Sequence, residues 1–317
     1  MKCSVVDHLK SLALPLALLL AASGCSNNDP QSSQQFGSSA DRAAIEKVVQ
    51  DDEVFDTQSI NDDGPQLRSY EDGLPKTTEQ IDAVRFGRLG RYKLESVDVE
   101  FTTDTTAIAT IVHSLNGKFL ILATNATDPN AIGTLYSKDM TNTIVRKAKL
   151  RKVRNTGVDR RDWRVVAVSG AVASSPTTTL TINELTIQTS DTSKLTVTDP
   201  LAYFFSRDSL REYHRGDSVK VFLKLTNTND FPPPPGETVL VRHGMDHHFH
   251  RTRTPLHDDG LYPDVAAGDG IYSGAFRLGF RHGVFHGGVD IIDNGTIYDD
   301  VAPYNSVVWA LPYFVRF

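Results

Sequence analysis

The chain has 317 residues, 39% of them hydrophobic, which is enough for two domains of about 150 residues each. It carries 33 basic and 39 acidic residues, a net charge of −6. This balance argues against nucleic acid as a partner, because neutralising phosphates requires a basic surface.

The first residues have the pattern of a bacterial export signal. Lys2 and Lys10 precede an apolar run at 12–20, which is shorter than a stable membrane anchor. Ala21-Ala-Ser-Gly-Cys25 follows and resembles the bacterial lipobox, in which small residues precede the cysteine that receives diacylglycerol. The family usually has leucine where this sequence has Ala22.

The resemblance implies a signal peptide over residues 1–24, a lipid on Cys25 and a disordered polar tether over residues 25–39. The membrane is then a partner through that lipid. Ser26 favours the outer membrane, since aspartate in its place is an inner-membrane retention signal in enterobacteria-like systems. The alternative is an ordinary secretory signal with a chance cysteine. Cys3 is the one other cysteine, so the mature chain would lack disulfides and thiolate metal sites.

Two helices are predicted after the tether. Ser38-Ser-Ala-Asp41 has the capping-box pattern that begins a helix. The apolar residues that follow it share one helical face: Ala44, Ile45, Val48 and Val49. Thr77-Thr-Glu-Gln80 predicts a second helix start that leads into Ile81, Val84 and Phe86.

Long antiparallel strands are predicted next. Asn116-Gly117 lies between two apolar runs, which is the strongest short-range indication of a hairpin. Further strands are predicted at 143–153 and 163–168. Helices followed by a meander that ends in a Trp-containing strand resemble the NTF2-like cone fold. The resemblance implies an α+β domain over residues 40–170 with a concave interior.

The C-terminal part is predicted to be all-β. Residues 171–198 are interpreted as a junction and residues 199–317 as a β-sandwich, with apolar and polar residues alternating from Val219 to Leu225. The segment from Asp258 to Ser273 contains Asp-Asp-Gly and Gly-Asp-Gly-Ile-Tyr-Ser. It resembles a loop pattern of bacterial immunoglobulin-like domains, which implies an Ig-like sandwich with a structural or adhesive role and no attached activity.

Four carboxylates lie in that segment: Asp258, Asp259, Asp264 and Asp269. Hard oxygen ligands on a glycine-containing loop suit Ca²⁺, so a calcium site is predicted there, although the spacing is not that of an EF-hand. The alternative is that these carboxylates cap turns by accepting backbone N–H bonds.

Histidines are concentrated in the same half of the chain. In an extended strand His248 and His250 point to one face, and His243 or Asp246 could supply a third ligand. This predicts a site for Zn²⁺ or Cu²⁺. The alternative is a polar strand end with exposed imidazoles.

The stretch from Arg146 to Arg154 is strongly basic. It predicts contact with an anionic glycan or with lipid headgroups. The alternative is a solvated sheet face balanced by acidic residues nearby.

No catalytic residue is predicted, because the sequence has no nucleophile elbow, zinc helix or phosphate loop. The sequence predicts a cell-envelope lipoprotein with a binding or structural role toward an envelope protein or glycan. One alternative is a small-molecule carrier or enzyme that uses the interior of the N-terminal domain. Another is a metal-binding envelope protein that uses the His-rich strand.

Overall fold

The computed structural model describes residues 36–51, 83–123, 134–189, 193–206, 210–229, 236–245, 252–279 and 282–316. They belong to one compact unit, Phe36–Phe317. Strands make up 65% of the described residues and helices 9%. None of the described helices has the length and apolarity needed to cross a bilayer. Cys25 and the lipobox lie outside the described residues, so their lipidation stays a prediction.

The described helices are α1 (Ser39–Gln50), α2 (Asp159–Asp162) and α3 (Asn294–Tyr298). The strands of the first half are β1 (Ala83–Thr103), β2 (Thr106–Ala123), β3 (Thr134–Lys152), β4 (Trp163–Ser174), β5 (Leu180–Thr189) and β6 (Lys194–Val197). Those of the second half are β7 (Phe204–Ser206), β8 (Glu212–His214), β9 (Ser218–Asn227), β10 (Glu237–Met245), β11 (Thr252–Pro255), β12 (Ile271–Arg277), β13 (Gly283–Asp293) and β14 (Ser306–Arg316).

These strands form two sheets. The larger has the order β1-β2-β3-β4-β14-β13-β10-β11, with β7 paired to β4 and β8 paired to β14. The smaller has the order β12-β9-β5-β6. A shared apolar core lies between the smaller sheet and strands β10, β13 and β14 of the larger one. The described structure is therefore all-β and compatible with a two-layer sandwich, but its smaller sheet takes β5 and β6 from the predicted junction at 171–198.

The NTF2-like α+β cone predicted for residues 40–170 is wrong. Strand β4 was expected to close a separate unit, but it pairs with β14 as well as with β3. The larger sheet thus runs through strands from both sides of the predicted junction at 171–198. Val84 and Phe86, expected on a helix, lie in β1. Local patterns predicted most of these strands. They could not predict that β4 pairs with β14, which lies more than a hundred residues away in the sequence.

The predicted hairpin at Asn116-Gly117 is also wrong, because both residues lie inside β2. The turn between β1 and β2 falls at 104–105 instead. Gly117 pairs with Gly90, and a Cβ on Gly117 would lie 2.0 Å from the carbonyl oxygen of Leu89. Glycine is required there by a close approach of two strands and not by a turn.

The first helix agrees with its prediction. Ser38 caps α1, and its Oγ accepts a hydrogen bond from the Asp41 N–H at 3.0 Å, which completes a capping box. Asp41 also accepts hydrogen bonds from Lys152 Nζ at 2.7 Å and Trp163 Nε1 at 2.9 Å. Burial raises the pKa of Asp41, but these bonds outweigh it and lower the pKa to about 2. One carboxylate thus fastens α1 to β3 and β4.

The short helix α3 is tied to β3 by Lys138. Its ammonium donates to the carbonyl oxygens of Gly295 at 2.9 Å, Ala302 at 2.7 Å and Asp299. Burial lowers the pKa of Lys138 to about 8.

The larger sheet curls, so that its two edges come within side-chain reach. Arg253 Nη1 on β11 donates to the carbonyl oxygen of Phe86 on β1 at 3.0 Å. The inner face holds a second apolar core, with Phe119, Ile144 and Val308 among its buried members.

A buried ion cluster crosses this inner space. Arg88 on β1 forms a bidentate pair with Asp290 on β13, with N–O distances of 2.7 and 2.9 Å, and its Nε donates to Tyr304 Oη at 2.6 Å. Arg242 Nη2 on β10 lies 2.5 Å from the same carboxylate. All three charged side chains are at most 1% exposed. Two guanidiniums from different strands therefore share the carboxylate of Asp290.

We expect Asp290→Asn to lower the free energy of unfolding by about 3–5 kcal/mol, because it leaves two buried guanidiniums without this carboxylate. Urea denaturation of the purified protein measures the change. Asp139→Asn is the matched control, since it removes one partner of the exposed Lys118–Asp139 pair and should cost less than about 1 kcal/mol. Equal effects of the two substitutions would contradict a structural role for the cluster.

Candidate functional site

The loop between β11 and β12 brings together three of the four predicted calcium ligands. Asp258, Asp264 and Asp269 each have a carboxylate oxygen within 4.8 Å of the others. The fourth, Asp259, accepts a hydrogen bond from the Leu261 N–H at 2.8 Å and is not part of this group.

Backbone donors surround these carboxylates. Asp258 accepts N–H bonds from Gly268 at 2.7 Å, Asp269 at 3.2 Å and Gly270 at 2.8 Å. Gly268 and Gly270 have φ values of +73° and +80°, a conformation that favours glycine. The Asp258 carboxylate therefore holds the far end of the loop in its tight course.

The carboxylate of Asp264 holds the near end of the loop. It accepts N–H bonds from Gly260 at 2.6 Å and Val265 at 2.8 Å. The pKa of Asp264 is lowered, and the hydrogen bond from the Gly260 N–H contributes most to this shift. Turn capping accounts for the positions of these carboxylates, and calcium binding stays a prediction.

Asp258→Ala should lower the free energy of unfolding by about 1–2 kcal/mol, because three backbone N–H groups lose their acceptor. It should also speed amide hydrogen exchange at Gly268 and Gly270. Asp104→Ala, an exposed aspartate in the β1–β2 turn, is the control and should change stability by less than about 0.5 kcal/mol.

Thermal melts with millimolar CaCl₂ and with chelator, on the unchanged protein and on Asp258→Ala, distinguish the two interpretations. Ligation would raise the melting temperature of the unchanged protein but not that of the variant. Capping alone would leave both melting temperatures unchanged by calcium.

The same loop exposes large apolar side chains at its tip. Leu261 is 70% exposed, Tyr262 78% and Val265 89%. Lys220 Nζ lies 4.9 Å from the centroid of the Tyr262 ring. Apolar side chains grouped on a hydrogen-bonded loop are typical of an interaction surface.

Of the predicted transition-metal ligands, His243 is described and His248 and His250 lie outside the described residues. His243 is 6% exposed and stacks on Phe276, with ring centroids 4.0 Å apart. Its Nε2 lies 3.4 Å from Thr254 Oγ1. The imidazole packs as a core residue, and a metal site with the other two histidines stays a prediction.

Burial lowers the pKa of His243 to about 4. Between this value and the ordinary pKa of about 6.5, the unfolded chain binds a proton that the folded protein does not. The free energy of unfolding should therefore fall as the pH drops from about 6.5 to about 4, by at most about 3 kcal/mol. Urea denaturation at about pH 7 and about pH 4.5 measures the difference.

His243→Leu should flatten this pH dependence. His257→Leu is the control, because it removes an exposed imidazole and should leave the dependence as in the unchanged protein. A variant at His243 with the original slope would show that this ring is not responsible.

A cavity of about 50 Å³ lies between the two sheets. Its walls are almost entirely apolar, and both sheets contribute to them. Gly287 on β13 is among the residues that line it. The sequence predicted strands on both sides of the cavity, but no local pattern reports an unfilled volume between them.

A few polar groups lie among the lining residues. Burial raises the pKa of both Tyr213 and Tyr313. Tyr313 Oη accepts a hydrogen bond from the Gly244 N–H at 3.0 Å. Arg211 is half-buried and also lines the cavity.

The basic stretch of β3 is not one exposed surface. Arg146 is 1% exposed, and Lys152 is bonded to Asp41. Lys149 Nζ lies 4.2 Å from the centroid of the Phe204 ring. The predicted contact with anionic glycans or headgroups is therefore wrong for Arg146, because the inward-facing positions of a strand alternate with its outer ones.

No protein family and no curated protein matches this sequence. Among solved structures, one of Extended-Synaptotagmin 2 that contains its SMP domain and its pair of C2 domains is similar over 70% of this chain and 87% of that chain, at 7% identity. Its TM-score is 0.15, a value that supports no argument about fold or function.

Proposed function

We propose that this chain is a lipid-anchored protein of the cell envelope that binds an envelope protein through the loop from Asp258 to Gly270. The export signal and the lipobox cysteine support the location. Phe36 follows Cys25 by 11 residues, a span of at most about 40 Å. The folded unit would thus stay near the membrane surface.

The exposed tip of the loop is the observation that carries the binding role. Leu261, Tyr262 and Val265 lie on a segment whose backbone is held by aspartate side chains. A preorganised loop loses little conformational entropy on binding, and aromatic anchors dominate many interfaces. This combination favours a protein partner with an apolar pocket.

The acidic residues of the loop indicate which kind of protein partner it would bind. The loop carries four carboxylates, those of Asp258, Asp259, Asp264 and Asp269. A partner whose pocket is bordered by basic residues would complement this loop. The loop also joins β11, an edge strand of the larger sheet, to β12, an edge strand of the smaller one. That position supports the interpretation of the C-terminal part as immunoglobulin-like.

The alternative of a carrier or enzyme depended on the interior of an NTF2-like cone. Because the described residues do not have that fold, they do not support this alternative. The buried, stacked ring of His243 gives no support to the alternative of a metal-binding protein.

Site-specific crosslinking in cells tests the proposal. A photoreactive phenylalanine in place of Tyr262 should give a discrete protein adduct that is lost in Leu261→Ser/Val265→Ser. The same probe in place of Val301, which is 86% exposed on another loop, is the control and should give no such adduct.

Lipidation of Cys25 and membrane association are measured in the same cells. The unchanged chain should incorporate a labelled fatty acid and sediment with membranes, and Cys25→Ala should do neither. A glycan adduct at position 262, or the same protein adduct at position 301, would contradict the proposed partner. An unacylated chain would contradict the proposed anchor.

A further inference from the structure

We propose that the cavity between the two sheets binds the end of an aliphatic chain whose anionic head group pairs with Arg211. The site is separate from the loop that carries the proposed function. The ligand class follows from an apolar interior with one cation at its border.

The interior favours hydrocarbon over water. Val221 on β9 and Val241 on β10 line the cavity from the two sheets, and both are 3% exposed. Apolar cavities stay dry and accept apolar molecules, because water there would lack hydrogen-bond partners. The small space of about 50 Å³ suits the narrow end of an aliphatic chain.

The Tyr313 ring packs closely against Gly287 at the wall of the cavity. A Cβ at this position would lie 3.1 Å from Tyr313 Cε1, closer than ordinary van der Waals contact. Gly287 pairs with Leu311 in the β13–β14 ladder, and both residues line the cavity. Paired strands of the larger sheet therefore form this wall of the cavity.

Arg211 places a positive charge at the border of this cavity. Its Nη2 donates to Ser193 Oγ at 2.7 Å, and its Cζ lies 5.5 Å from the centroid of the Tyr213 ring, which also lines the cavity. Both of these partners, a hydroxyl group and a phenol ring, are neutral. A guanidinium held by neutral groups can take a carboxylate in bidentate geometry.

A length series of linear carboxylates, from butyrate to decanoate, tests the apolar part by titration calorimetry. Affinity should rise by about fourfold for each added CH₂ and then stop rising once the cavity is full. The matched n-alkanols should bind more weakly than the acids. Phosphatidylglycerol vesicles form a second arm: binding of vesicles but not of free acids would identify a membrane lipid as the source.

Two variants test the residues. Arg211→Gln should abolish the preference for acids over alcohols while retaining the gain with chain length. Val221→Ile/Val241→Ile should reduce that gain, because the added methyl groups occupy the cavity. Val239→Ile/Val307→Ile is the control, since both residues are buried in the same core without lining the cavity. Thermal melts check that each variant is folded.

Absence of binding by both acids and vesicles to the folded protein would overturn the proposal. Equal affinity for acids and alcohols would overturn the role of Arg211. Affinity that keeps rising through decanoate, or that is unaffected by the cavity-filling pair, would place the chain outside the cavity and overturn the site. None of these results depends on the crosslinking at Tyr262.

Discussion

The fold depends on a buried carboxylate shared by two guanidiniums. Asp290 lies between Arg88 and Arg242, which come from strands far apart in the order of the larger sheet. Charges removed from water are tolerated only when they are paired and hydrogen-bonded, and here Tyr304 supplies a further bond to Arg88. The pairing holds the sheet in its curled form, because β1 must stay close to β13.

The sandwich is built on the outer face of the same strands. Side chains of β13 alternate, so that Asp290 faces the inside of the curl while Val289 and Ile291 face the smaller sheet. The cavity and the apolar core around it therefore share their supporting strand with the ion cluster. The loop from Asp258 to Gly270 leads directly into β12, whose Phe276 stacks on His243 at the cavity wall.

Local physical chemistry could be predicted well. The capping box at Ser38 and the apolar face of α1 are present as expected, and so is the alternation from Val219 to Leu225. The carboxylates of the acidic loop converge, because glycines with positive φ allow a tight turn. The Gly117 prediction failed because the same residue type serves hairpin turns and close strand contacts, and only the position of Leu89 separates the two.

The sequence by itself determined many of the strand segments, how the first helix begins and which loop gathers aspartates, since these depend on neighbours within a few residues. Only the tertiary structure decided that β4 pairs with β14, that Arg146 is buried, and that a void lies beside Gly287. Each of these depends on contacts between distant segments. Such contacts are decided by the free energy of the whole packed arrangement, and not by any local pattern.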